Sequence, residues 1–399
     1  MFYVGIDIGK PRHCAAAIDG QGQVVLKPIA VLQSRAGLEE FEKRLHTLGA
    51  MEEIKIALEA SGHYWKILWQ FLTQKGWHVD VLNPILSAST ARTHMRGRKT
   101  DADDAIFIAK TLRDGGFSPL VIGSPEIEQI KTLCRQRRWT VGEMCNARRR
   151  LTAILDRVFP EFADHFSDPF GTSALAILKE APSAKRVAAL HLKRLTHLLC
   201  VHSRNQFGAA KARELREAAR TSLAAAQHDE AMESCALLLI AQLEFFAAQA
   251  TNLETQIASQ FDGLNHPIST IPGIGRITAP LIVGELGDIA RFSGPRGAHR
   301  ILAYAGLDPR VRESGQWKGR AKMSKRGSPV LRTALYQAAS MVRLHHPYFA
   351  AIYERHRHQK QKHHATAISH VARKLVEVIY AVCKSNQPFD PAKLCPSTT

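Results

Sequence analysis

Arg98-Lys99-Thr100-Asp101-Ala102-Asp103-Asp104-Ala105 gathers three acids in a chain whose formal charge is otherwise strongly positive, +18 overall. The spacing predicts the start of a helix. Thr100 is a natural N-cap, and Asp101 and Asp104, three apart, share one face while Ile106, Ile108 and Ala109 are placed to pack inward. Side-by-side carboxylates repel and are held as anions mainly by a cation between them, and a hard divalent ion such as Mg²⁺ takes oxygen ligands of this kind. The competing explanation is an acidic first turn that only suits the helix dipole. The acids found upstream weigh against it.

Toward the N-terminus, residues 2–8 are apolar and β-prone, 14–18 follow after a short link, Asp19-Gly20-Gln21-Gly22 is a turn signal, and 24–31 makes a third strand. The pattern then alternates: helix at 38–48, strand at 54–60, helix at 64–75, strand at 78–82, with Pro84 leading into a last helical pair. Three strands, helix, strand, helix, strand, helix is the order of an RNase H-like fold. In that architecture Asp7 ends the first strand, Glu59 ends the fourth, and Asp101 and Asp104 lie on the helix after the fifth, so all four can converge. Four carboxylates holding two Mg²⁺ ions can activate an attacking oxygen and stabilise a leaving one at a phosphodiester. Val4-Gly5-Ile6-Asp7-Ile8-Gly9-Lys10 also resembles the first phosphate loop of sugar-kinase and actin-like ATPases. The second Gly-rich phosphate loop and the adenosine site that those enzymes need are not found.

The chain is 399 residues long and 45% hydrophobic, enough for two or three domains with real cores. Its charge points to a polyanionic partner, nucleic acid before acidic membrane. Apolar runs such as 235–241 fall short of the roughly 20 residues a membrane-spanning helix needs, and no signal-peptide pattern opens the chain, so a cytoplasmic protein without membrane contact is expected. Seven scattered cysteines without a C-x-x-C pair suggest neither a disulfide framework nor a zinc site.

The composition divides the chain into an acidic-site domain at 1–125, a helical middle at 126–265 and a mainly helical C-terminal domain at 266–399. In the middle, 126–159 reads as helix carrying Arg135, Arg137, Arg138, Arg148, Arg149, Arg150 and Arg157, a guanidinium density suited to phosphate or to a solvated basic face. Trp139 is either a base-stacking or a core residue. Residues 184–226 read as short polar helices. Ala236, Leu239, Leu243, Phe246, Ala250, Leu253 and Ile257 then form a heptad coiled-coil seam, which either packs inside the chain or pairs subunits; pairing is the expectation.

Ile271-Pro272-Gly273-Ile274-Gly275 followed by 278–286 resembles a helix-hairpin-helix in which Gly273 and Gly275 let backbone N–H groups approach phosphate. Arg310, Arg312, Lys318, Arg320, Lys322, Lys325 and Arg326, opposed only by Glu313, surround Ser314 in a basic loop. A serine hydroxyl attacks phosphorus only with cations on the phosphate and a proton acceptor nearby; Ser324 and Ser328 are rival candidates. His345, His346, His356, His358, His363, His364 and His370 are expected on a solvated basic helix.

Together, Gly5-Ile6-Asp7, Leu58-Glu59-Ala60-Ser61-Gly62, Asn83-Pro84, Lys99-Thr100-Asp101 with Asp104-Ala105, the Ile271 turn, Tyr304-Ala305-Gly306-Leu307, Arg312-Glu313-Ser314-Gly315 and Met323-Ser324-Lys325 resemble the DEDD transposases of insertion sequences, the IS one-ten family with its IS eleven-eleven branch. The resemblance implies a RuvC-like N-terminal domain whose Asp7, Glu59, Asp101 and Asp104 bind Mg²⁺, and a C-terminal transposase domain whose Ser314 attacks DNA. It further implies a phosphoserine-DNA intermediate, strand exchange through a Holliday junction, and a structured bridge RNA pairing with donor and target DNA. Dimers to tetramers, in which one subunit's acids meet another's serine, also follow from it. The alternatives are a Mg-dependent nuclease or junction resolvase using water, and a non-catalytic nucleic-acid-binding protein.

Overall fold

Alternation along the first strand sets the architecture of the N-terminal part. In β1 (Phe2–Asp7) Val4 and Ile6 point to one face of the sheet, while Tyr3, Gly5 and Asp7 point to the other. The computed structural model describes residues 1–60, 62–82, 100–115, 122–226, 229–310, 313–314, 317–318 and 322–394, with the backbone alone at 226, 310, 313, 314, 317, 318 and 322. It divides into two units, Met1–Ile122 and Gly123–Thr399.

In the first unit, β2 (Arg12–Asp19), β3 (Val24–Leu32), β4 (Ile54–Glu59) and β5 (Val79–Leu82) join β1 in a five-stranded sheet of order β3-β2-β1-β4-β5. The β1–β2 and β2–β3 pairs are antiparallel, and β1, β4 and β5 run parallel. Helices α1 (Arg35–Leu48) and α2 (Trp65–Gln74) place Leu38, Phe41, Leu45, Leu68 and Leu72 against Val4, Ile6, Ile56 and Leu58. The opposite face is covered by α3 (Asp101–Asp114), whose Ile108 and Leu112 pack with Ala57, Leu82 and Tyr3. This is the order and direction that the RNase H-like reading requires. The Asn83-Pro84 motif and the helix expected after it lie outside the described residues.

The second unit is built on two long helices. Between α4 (Pro125–Val158) and α9 (Glu230–Asp262) run α5 (Thr172–Glu180), α6 (Ala184–Ala189), α7 (Leu192–His202) and α8 (Ala209–Thr221). One core joins the C-terminal half of α4 (Ala147, Leu151, Leu155) to the N-terminal half of α9 (Ala236, Leu239, Leu243) and to α5–α8. The other joins Ile130 and Cys134 of α4 to Ile257 and Phe261 of α9 and to the C-terminal helices. The long helices are therefore antiparallel, and each enters both cores.

The heptad seam is thus covered within the chain rather than left for a second subunit, which corrects the expected role of that stripe. A helix of matching length lies along it, and Ala236, Leu239, Leu243, Ala250 and Ile257 are buried. By composition α9 is also the one helix among the described residues that is long and apolar enough to cross a membrane. The short run 235–241 had concealed this, because the residues that interrupt the apolar pattern are largely uncharged. Glu233, Glu244 and Glu254 tie α9 to Arg186, Lys179 and Arg137 as part of the helical body.

Beyond a 3₁₀ turn at Pro267–Thr270 come α10 (Thr278–Leu286), α11 (Gly297–Ala305), α12 (Pro329–His345), α13 (Pro347–Glu354) and α14 (His364–Ser385), which share the second core. Between α11 and α12, where a plain basic loop is expected, the described residues form two short antiparallel strand pairs, one inside the other in sequence, here called the ribbon. Strand β6 (Pro309–Arg310) pairs with β9 (Lys322–Met323), and β7 (Glu313–Ser314) with β8 (Trp317–Lys318).

Candidate functional site

Gly5 decides how the acids meet. A Cβ at this position would lie 2.1 Å from the carbonyl oxygen of Ala105 and 2.4 Å from the amide nitrogen of Ala109, so only glycine lets the backbone of α3 rest on β1. Asp7, two residues further, projects on the same face beside the first turn of that helix. Ile6 and Leu58 are register partners, so Asp7 and Glu59 follow them side by side at the ends of adjacent parallel strands. Tyr3 and Ala57 mark that face as the one packed under α3.

Within the acidic turn the carboxylates divide. Thr100 caps α3 by accepting from the Asp103 amide at 3.2 Å, and its hydroxyl donates to Asp103 Oδ2 at 2.7 Å. Asp103 is therefore engaged in capping. Asp101 and Asp104 act on Asp7, whose carboxyl is pushed up from 3.8 to about 6 by burial, then by the charges of Asp101, Asp104 and Glu59. This electrostatic meeting of the four matched acids was legible in their order. Cys14 was not anticipated. It pairs with Asp7 across β1 and β2, and its thiol is pushed up by burial and then by Asp7 and Asp101.

Four hard oxygen donors under mutual repulsion fit a divalent cation in charge and chemistry. Among the described residues no three His, Cys, Asp or Glu side chains already form a set that could hold a metal ion.

In the second unit Ser314 lies on the β7–β8 pair of the ribbon, in register with Trp317. The base is pinned by backbone bonds from Ser324 to Asp308 (2.9 Å), Lys325 to Gly306 (3.1 Å) and Ser328 to Tyr304 (2.8 Å). Gly306 ends α11 in the left-handed region, φ 66°, and a Cβ there would lie 2.7 Å from the Arg326 carbonyl. The Tyr304-Ala305-Gly306-Leu307 and Met323-Ser324-Lys325 motifs are the two sides of this neck. Both rival serines donate to carboxylates: Ser324 Oγ to Asp308, and Ser328 Oγ to Glu285 at 2.8 Å while capping α12. Arg312 and Arg320 lie outside the described residues, and Arg310, Lys318 and Lys322 are described by backbone alone; Lys325 and Arg326 are exposed.

The arginines of α4 separate into two kinds. Arg135 meets the buried Glu285 through both nitrogens, at 2.6 and 3.2 Å, and Arg137 binds Glu254 at 2.6 Å. The buried Glu285 carboxylate needs such a partner, and both pairs link α4 to another helix, α10 and α9. Arg148 stacks over Phe170 at 5.5 Å. Arg138, Arg149 and Arg150 are exposed and remain the phosphate candidates on this helix. Trp139 is exposed and meets Phe246 edge-on, 6.4 Å between ring centroids. In the hairpin, Gly273 has φ 87° and rests against the α12 backbone, where a Cβ would lie 2.8 Å from Val342, so its close approach is to the fold itself; Gly275 has open space beside it. A 3₁₀ turn stands where the first helix of a helix-hairpin-helix was expected.

Two family models match the chain: one described as a transposase of the DEDD IS110 type, over residues 4–160, and one described as the transposase IS116/IS110/IS902 family, over 265–354. The four acids fall in the first span and Ser314 in the second. An IS116 insertion-element protein of 44.8 kDa from Streptomyces clavuligerus is 25% identical over 98% of this chain and 96% of its own length. A pilin gene-inverting protein of Moraxella bovis is 36% identical over 32% of this chain and 40% of its own length. The transposase of insertion element IS1111A from Coxiella burnetii is 36% identical over 20% of this chain and 21% of its own. With both models matching in order and relatives spanning nearly its whole length, the chain belongs to the IS110 family of DEDD transposases, enzymes that act on DNA.

Proposed function

We propose that this transposase cleaves and rejoins DNA strands through Ser314, with Asp7, Glu59, Asp101 and Asp104 holding two Mg²⁺ ions. The observation that carries the reading is the meeting of those acids around Asp7, which burial and three neighbouring charges raise to about 6. Bound Mg²⁺ supplies charge neutralisation at the phosphodiester. The serine hydroxyl gives up its proton as its oxygen bonds to phosphorus, the 3′ oxygen of the DNA leaves and takes up a proton, and the phosphoserine-DNA linkage keeps a phosphoester for strand exchange through a Holliday junction. Exposed Arg138, Arg149 and Arg150, with Lys325 and Arg326, supply cations for donor and target DNA and for a structured guide RNA. Subunits assemble as dimers to tetramers, so that the acids of one subunit serve the serine of another.

Ser314→Ala is expected to abolish covalent protein-DNA adducts on denaturing gels while leaving nucleic-acid binding intact; persisting adducts would remove the serine from the mechanism. A second reading, a Mg-dependent nuclease or junction resolvase using water, is favoured by the fact that the acids assemble within the first unit alone. Metal-dependent cutting by the Ser314→Ala protein would select it.

A further inference from the structure

A dense run of cations remains where the chain leaves α13. There a π-helical turn, Arg355–Gln359, lays the His356 ring flat on His370 of α14, with centroids 3.7 Å apart and planes 9° from parallel. Lys362 Nζ lies 3.3 Å from His370 Nε2. An ammonium only donates, so that ring nitrogen carries its lone pair and His370 is neutral. His356 Nδ1 is buried and has no partner among the described residues, as is Nε of Arg343, whose guanidinium reaches over from α12 to stack on Tyr353 at 4.4 Å. Arg355 on the turn, Lys360 and Lys362 just after it, and Arg373 of α14 lie close enough for their charges to act on one or both rings. The acids close by in sequence are taken: Glu354 binds His358 at 3.3 Å and Glu377 binds Lys374 at 2.6 Å. Arg357 donates to the Lys362 carbonyl at 3.0 Å and holds the turn closed.

We propose that this turn binds a phosphodiester of the nucleic-acid backbone among Arg355, Lys360, Lys362 and Arg373, and that the stacked histidines take up protons as the phosphate arrives. The inference rests on the reading that the chain acts on nucleic acid and adds to it a named contact and a proton linkage. Like charges this close repel, and π-turns are found disproportionately at functional sites. Burial, then His356, Lys362, Arg373 and Lys360, push His370 down to about 4; burial, then Lys362, Lys360 and Arg355, push His356 down as well. An arriving anion counters the cationic part of that shift, so binding takes up protons and tightens as pH falls, by up to about tenfold per pH unit per proton.

The test is fluorescence anisotropy of the full chain with a mixed-sequence DNA duplex and, separately, an RNA hairpin, at fixed salt and at several pH values below and above neutrality. For at least one polymer, the wild-type affinity should gain about tenfold more on acidification than that of His356→Gln/His370→Gln. The polymer showing the difference identifies the occupant. Arg355→Ala/Lys360→Ala, at exposed positions that leave the core untouched, should weaken binding about tenfold and reduce the salt slope by about two. Identical pH dependence of wild type and the glutamine variant with both polymers, or an unchanged salt slope in the alanine variant, overturns the proposal. Adduct formation through Ser314 is a separate readout, so either idea can fail alone.

Discussion

Above neutral pH, Asp7 carries a stability cost set by its burial and its three acidic neighbours. Its carboxyl is raised to about 6, so the folded state holds its proton more tightly than the unfolded chain does, and the stabilisation present below about pH 4 is lost as pH rises through 6. The full shift corresponds to at most about 3 kcal/mol, and solvent screening at a half-buried group reduces it to ~1 kcal/mol. Asp7→Asn should therefore abolish strand cleavage yet melt higher than wild type in metal-free buffer above pH 7, with the gain vanishing near pH 4 in a calorimetric series. Asp103 and Asp104 separate in the opposite way. Asp103→Ala removes the partner of the Thr100 cap and should cost about 0.5–1 kcal/mol in thermal melts while leaving Mg²⁺ binding in calorimetric titration intact; Asp104→Ala should weaken that binding strongly.

At the level of elements, the backbone of α3 rests directly on β1 at Gly5. Gly5→Ala would drive a Cβ into the Ala105 carbonyl, costing about 1–3 kcal/mol in overpacking and lifting Asp101 and Asp104 off Asp7. Carbon-13 NMR titration of the Asp7 carboxyl should then show its midpoint falling back toward 3.8. On α9, the face opposite the buried seam exposes Leu238 and Phe245, at 65% and 60%. If subunits pair through it, Leu238→Glu/Phe245→Glu should lower the mass measured by light scattering without lowering the melting temperature. The ribbon bearing Ser314 escaped a sequence reading because its strands are two residues long. Such strands show no apolar alternation and are made by backbone pairing across the neck.

For the whole molecule, the acids lie in Met1–Ile122 and the serine in Gly123–Thr399, and the proposed chemistry needs both at one phosphate. If they come from different subunits, mixing Asp7→Asn with Ser314→Ala, each inactive alone, restores adduct formation in part, because one composite site in the mixed dimer has both intact groups. A site made within one chain gives no rescue in the same gel assay.

Local pattern along the chain is enough to read the order of the first unit's elements and which acids end its strands and open α3. Half-buried strands and amphipathic helices impose periods of two and 3.6 that residues 2–82 and 101–114 display, and acids that close adjacent parallel strands come out side by side at the strands' C-terminal ends. Partners follow only from the packing. Arg135 and Arg137 look like free cations until Glu285 and Glu254 arrive from 150 and 117 residues away. The seam of α9 announces that it must be buried, and only the packing says that α4 of its own chain covers it. Local pattern records what a side chain needs; which distant group meets that need depends on how the chain folds back on itself.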